Sequence, residues 1–151
     1  MTTHHTILAI DDSKKILDII KYFLEQEGYT VKAVPDPIEG IKTAKEGGID
    51  LILLDIMMPG MDGYTVCDSL KKDEKTRDIP VIMLTAKAII LHTPKDFFYG
   101  LYGFLAKPFS KQQLTKVVSE ALRLTKASEE PRGFISNVEG EGEAEPKSPG
   151  A

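Results

Sequence analysis

One cysteine, Cys67, is all the 151-residue chain carries, so no intrachain disulfide can form. That count suits a reducing compartment such as the cytoplasm. No apolar run approaches the ~20 residues needed to span a bilayer, which argues against a membrane partner. The N-terminus, Met1-Thr-Thr-His-His-Thr, lacks both a basic region and a long apolar stretch, so it does not read as a signal peptide. His4 and His5 read as part of a solvated tail over residues 1–5 rather than as metal ligands. There is no excess of positive charge. The formal net charge is −4, which argues against a nucleic-acid partner. Cys67, between Val66 and Asp68, reads as a small unreactive helical residue.

What remains has the composition of a soluble domain: 42% hydrophobic and 28% charged residues. The length favours one domain and is enough to bury about two-thirds of the unfolded chain's surface. Composition changes after Lys126. Residues 127–151 hold six Glu against Arg132 and Lys147, with Phe134, Ile135 and Val138 as the large apolar groups. Basic and acidic residues balance over residues 1–126, so the whole net charge lies in this segment. Such a tail buries too little to offset its ordering entropy and is expected to be disordered.

Between these ends the pattern alternates strand and helix. Ile7–Ile10, Leu51–Leu54 and Val81–Leu84 are continuous apolar runs, as expected of strands covered on both faces. Tyr29–Val34 and Phe104–Ala106 read as two further strands. Ser13 caps a helix whose apolar stripe is Ile16, Ile19, Ile20, Phe23 and Leu24, closed by Gly28 at C′. Asp36-Pro37-Ile38-Glu39 supplies an N-cap, a first-turn proline and an acid for a second helix, ended by Gly47 and Gly48. A loop rich in turn formers, Met57–Gly63, precedes a third helix over Tyr64–Lys72. A short fourth helix is expected between Pro94 and Gly100. Ser110 and Gln113 form a capping box for the last helix, with Leu114, Val117, Val118, Ala121, Leu122 and Leu124 as its stripe. Five strand–helix units without a hairpin signal imply an α/β fold, with a parallel sheet and helices on both faces.

Parallel strands would bring the residues that end these runs to one sheet edge: Asp11, Asp12, Asp55, Thr85 and Lys107. Singly, each has an ordinary reading. An Asp pair after a strand caps a helix, Asp55 suits a turn, Thr85 suits a strand and Lys107 suits a surface. Together they form a recognisable chemical set. Three close carboxylates repel unless one is protonated or a cation joins them. Mg²⁺, with Mn²⁺ as the substitute, takes oxygen ligands and often pairs carboxylates with phosphate oxygens. Asp55 could then attack phosphorus to give an acyl phosphate, while Lys107 and the Thr85 hydroxyl stabilise the transferred group.

The text around these residues resembles the receiver domain of two-component response regulators. It reads Ile10-Asp11-Asp12-Ser13, Leu54-Asp55-Ile56-Met57-Met58-Pro59-Gly60-Met61-Asp62-Gly63, Leu84-Thr85-Ala86 and Phe104-Leu105-Ala106-Lys107-Pro108-Phe109. The resemblance covers about residues 6–126. It implies a flavodoxin-like (βα)₅ fold with strand order 2-1-3-4-5. It also implies phosphorylation of Asp55 by a sensor histidine kinase or a histidine phosphotransfer protein. Asp12, Asp55 and the Met57 backbone carbonyl resemble the metal ligands, with Asp11 beside them or acting through water. Thr85 and Lys107 fall on the phosphate-sensing positions, and Phe104 on that of the switch aromatic. The Lys107-Pro108 bond is expected to be cis. The chain reads as no enzyme beyond its own phosphorylation and dephosphorylation.

The chain also departs from the family pattern. Residues 88–103 are unusually apolar and aromatic, with Ile89-Ile90-Leu91, Pro94 and Phe97-Phe98-Tyr99. Either they fill a local core or they form an output surface, such as a homodimer face made with the fourth helix, fifth strand and last helix. Phe104 lacks the hydroxyl of the usual tyrosine. Met57 and Lys87 flank the phosphoryl site, and Met57 offers no polar group to orient water, so a longer-lived phosphoryl state is expected. Two other readings remain at this level. One is a receiver-like binding module that has lost phosphorylation. The other is a metal-dependent phosphohydrolase, disfavoured because Asp11 and Asp12 are adjacent rather than spaced Asp-x-Asp. No output domain is read after residue 126, so output is expected through an unidentified protein partner.

Overall fold

The computed structural model describes residues 4–86 and 101–127. Five parallel strands, β1 (Thr6–Ile10), β2 (Thr30–Val34), β3 (Leu51–Asp55), β4 (Val81–Thr85) and β5 (Gly103–Ala106), form one sheet of order β2-β1-β3-β4-β5. Among the described residues, four helices accompany them: α1 (Lys14–Glu25), α2 (Pro37–Lys45), α3 (Gly63–Lys72) and α4 (Lys111–Ala127). The expected short helix over 94–100 lies outside the described residues, as do Lys87 and the tail beyond residue 127.

Strands β3 and β4 are buried at every position, which explains their continuous apolar text. Alternation sorts their side chains onto two faces. Leu51, Leu53, Ile82 and Leu84 pack with α1 and α4, while Ile52, Leu54, Val81 and Met83 pack with α2 and α3. Helices therefore cover both faces, and the architecture is the flavodoxin-like one that the sequence implied. Among the described residues, no helix is long and apolar enough to cross a membrane.

Local signals explain the helix starts. The Ser13 hydroxyl oxygen accepts from the Ile16 N–H, and the Asp36 carboxylate from the Glu39 N–H. Ser110 and Gln113 cap reciprocally: the Gln113 N–H donates to Ser110 Oγ at 3.0 Å and the Ser110 N–H to Gln113 Oε1 at 2.9 Å. At the far end of α3 the buried Thr76 hydroxyl donates to the Leu70 carbonyl at 2.6 Å. The Lys71 ammonium donates to the carbonyls of Arg77 and Ile79, tying that helix end to the approach to β4.

Three details differ from the sequence reading. The stripe of α1 centres on Leu17, Ile20 and Leu24, with Ile16 and Phe23 as partly buried flanks. Gly28 lies one residue further out than expected, because α1 caps at Gln26; its φ of 92° lets the chain reverse into β2. His5 is half-buried rather than solvated. Its carbonyl accepts from the Thr30 N–H and its ring lies 6.3 Å from that of Tyr29, so residue 5 already joins the β1–β2 pairing. Cys67 is buried, and burial pushes its thiol up to about 11, the inert state expected of a packing residue.

Candidate functional site

Register places the acidic residues. Ile10 pairs with Leu54, so the next residues, Asp11 and Asp55, leave the sheet side by side on the face that carries Ala9 and Leu53. Thr85 pairs with Ala106, and Lys107 follows on the same face as Leu105, which is also the face of Asp11 and Asp55. The Lys107 ammonium accordingly reaches both carboxylates, at 2.9 Å from Asp11 Oδ2 and 3.2 Å from Asp55 Oδ1. Thr85 has the opposite parity and belongs to the Met83 face; its hydroxyl donates to the Ala86 carbonyl at 3.1 Å.

Asp11 is 0% and Asp55 4% exposed, whereas Asp12 stands in solvent. Carboxylate oxygens of all three lie within 4.8 Å of one another. Buried carboxylates need hydrogen-bond donors. Asp11 Oδ1 accepts the Ser13 N–H at 2.9 Å, and Asp55 Oδ1 accepts the Met57 N–H at 3.3 Å. These backbone donors were not legible in the sequence, because every residue type but proline supplies an N–H. Burial first, and the charge of Asp11 second, push the Asp55 carboxyl up to about 6 against the pull of Lys107. Burial acts to lower the Lys107 ammonium, but its bond to Asp11 and the charges of both carboxylates outweigh it and hold the group above the ordinary lysine value.

Three carboxylates against one ammonium leave two negative charges uncompensated when all are ionised. A hard divalent cation among these oxygens would balance them, and the all-oxygen donor set fits Mg²⁺. Met57, next but one to the acceptor, is 62% exposed. Phe104 is fully buried among the residues between the sheet and α2–α3. The Lys107-Pro108 bond is cis, as expected. Leu101 and Tyr102, the described end of the aromatic segment, are both buried in the core.

Fold and site together define a doubly wound α/β protein with its chemistry at the carboxyl ends of the strands. More narrowly, the chain belongs to the response regulator receiver domain family, whose model matches residues 7–119. It is 43% identical over 119 residues to the DNA-binding dual master transcriptional regulator RpaA of Synechocystis sp., covering 79% of this chain and 49% of that protein. It is 36% identical over 122 residues to the transcriptional regulatory protein ResD of Bacillus subtilis, covering 81% of this chain and 50% of ResD. The chain thus spans about half the length of the curated relatives it matches. Among solved structures it resembles the chemotaxis protein CheY4 of Vibrio cholerae, with TM-score 0.71 and 28% identity over 78% of this chain and 98% of that one. A receiver domain protein of Clostridium thermocellum gives TM-score 0.74 and 30% identity over 82% and 98%.

Proposed function

We propose that residues 6–126 form a phosphorylation-activated switch whose acceptor is Asp55, with residues 127–151 as an acidic tail. The observation that carries this reading is the buried Asp55 carboxylate, set within 4.8 Å of the Asp11 and Asp12 oxygens and 3.2 Å from the Lys107 ammonium. The donor is a sensor histidine kinase or a histidine phosphotransfer protein. An Asp55 carboxylate oxygen bonds to phosphorus as the phosphorus–nitrogen bond of phosphohistidine breaks, and the released imidazole takes a proton from solvent. Asp11, Asp12, Asp55 and the Met57 carbonyl would hold Mg²⁺, or Mn²⁺ in its place. That ion, when bound, supplies positive charge to the phosphoryl oxygens. Lys107, already drawn to Asp55, exchanges its contact with the carboxylate for one with the phosphoryl group. Thr85 breaks its bond to the Ala86 carbonyl to donate to the same group, and so moves the backbone at the end of β4. Phe104, packed behind β4, reports that movement as a shift between two populated states. The chain performs only its own phosphorylation and dephosphorylation.

Output passes through a protein partner, or a second copy docking near β5 and α4. The relative RpaA, of which this chain covers 49%, is named as DNA-binding, so the expectation of no nucleic-acid partner is held for the residues of this chain alone, whose net charge is −4. We place the exchange in the cytoplasm, in keeping with the single reduced cysteine. A receiver-like module without phosphorylation is less well supported, because Asp55, Thr85 and Lys107 are all present at the strand ends. The test is to incubate the chain with Mg²⁺ and acetyl phosphate and measure its intact mass. One added phosphoryl group, absent from Asp55→Asn, supports the switch. Failure to label, together with no response to beryllofluoride, would falsify it.

A further inference from the structure

Gly63 has an ordinary negative φ, so its lack of a side chain serves space rather than conformation. It is the first residue of α3 and lies directly against the backbone that leaves β3. A Cβ at this position would collide with the Asp55 carbonyl oxygen, and would sit 2.8 Å from Ile56 Cα and 3.1 Å from the Asp55 carbonyl carbon. All three are backbone atoms, which no side-chain rotation can clear. Instead of a side chain, the Gly63 N–H meets the Ile56 carbonyl at 2.7 Å. The Ile56 N–H in turn donates to the Leu84 carbonyl at 3.1 Å, and its side chain is buried.

The acceptor's own peptide is therefore clamped between β4 on one side and the start of α3 on the other. From the α3 side, a larger residue at 63 must displace either the helix or the Asp55–Met57 backbone. The helix is anchored by buried Val66, Cys67 and Leu70 and by the Asp62 cap, whose carboxylate accepts both the N–H and the hydroxyl of Thr65. The backbone after Ile56 is less anchored than the helix: of Met57–Gly60 only Met58 is buried, and Met57, Pro59 and Gly60 are exposed. The strain falls on Met57, which donates its N–H to Asp55 and carries the carbonyl assigned above to the cation.

We propose that Gly63 is a positioning residue: by letting α3 rest on the Asp55–Ile56 peptide, it holds the Asp55 carboxylate and the Met57 carbonyl in register for a divalent cation. The inference rests on the metal reading of the site and names a residue that supports it without touching the ion. The test compares Mg²⁺ affinity of the full chain, by titration calorimetry, for wild type, Gly63→Ala and Leu70→Val. The last loosens the packing of α3 without touching the acceptor's peptide. All titrations are done in molar trimethylamine N-oxide, which favours the folded state and keeps a weakened variant measurable. Gly63→Ala is expected to bind Mg²⁺ about tenfold more weakly, as groups behind metal ligands typically do when altered, with Leu70→Val unchanged. Equal affinity in wild type and Gly63→Ala, or equal weakening in both variants, overturns the role of Gly63 and leaves the metal site standing. A wild type that binds no Mg²⁺ overturns both.

Discussion

Asp11 and Asp12 are consecutive residues in one carboxylate cluster, yet Asp11 is wholly buried and Asp12 faces solvent. The same division runs through the rest of the site. Asp55 and most of the Lys107 side chain lie inside with Asp11, while Met57 stands outside with Asp12. The inner groups are held by mutual charge and by N–H donors. The outer ones answer to water and to whatever ligand arrives. The inner half should therefore couple ligand chemistry to folding stability and to pH, and the outer half should affect ligands alone.

The largest effect is expected from Lys107→Met. Its ammonium is the only counter-charge among the described residues that bonds both inner carboxylates, and its side chain is 24% exposed. Removing one partner of a buried ion pair leaves an uncompensated charge and costs about 3 kcal/mol. Denaturant unfolding at pH 7 without metal should show that loss, and millimolar Mg²⁺ should recover part of it. A cost no greater than that of an outer-half substitution would erase the division.

Next comes Asp55→Asn, which tests the inner half through pH. The Asp55 carboxyl is raised from 3.8 to about 6 in the fold, so the folded chain holds the proton more tightly than the unfolded one. Between these values the folded state binds more protons, and stability from this group falls as pH rises. It is fully present below 3.8 and lost above about 6. Asp55→Asn removes the ionisation, so in metal-free buffer it should stabilise the chain by roughly 2 kcal/mol more at pH 7 than at pH 4. Equal effects at the two pH values would show that Asp55 is not strained by burial.

The division itself was not legible in the sequence, although much else was. Continuous apolar runs in β3 and β4 announced a two-faced parallel sheet because both faces are in fact covered. The caps at Ser13, Asp36 and Ser110 were readable because capping is decided within four residues. The site residues were readable as a set, since parallel strands bring their ends to one edge. What escaped was decided by contacts distant in sequence. Six apolar residues of α1 span a wide face, and only the sheet beneath makes Leu17 central. Asp11 and Asp12 are the same residue type in adjacent positions, and only the alternation of β1 sends one inward. Gly63 sat in a loop dense with turn formers. Its contact with the acceptor's peptide depends on where α3 crosses the end of β3.

The smallest expected change in stability comes from Asp12→Asn, which isolates the outer half. Asp12 is exposed, and substitutions at such positions usually alter stability by no more than about 0.5 kcal/mol. Its carboxylate is nevertheless within 4.8 Å of the inner pair, close enough to share a cation with them. Losing one anionic oxygen ligand should weaken Mg²⁺ at least about tenfold while the unfolding midpoint stays in place. Calorimetric titration and denaturant unfolding of the same preparation give both numbers. A shifted midpoint with unchanged affinity would reverse the assignment: Asp12 would then belong to the folding of α1, and the cation would rest on the inner carboxylates alone.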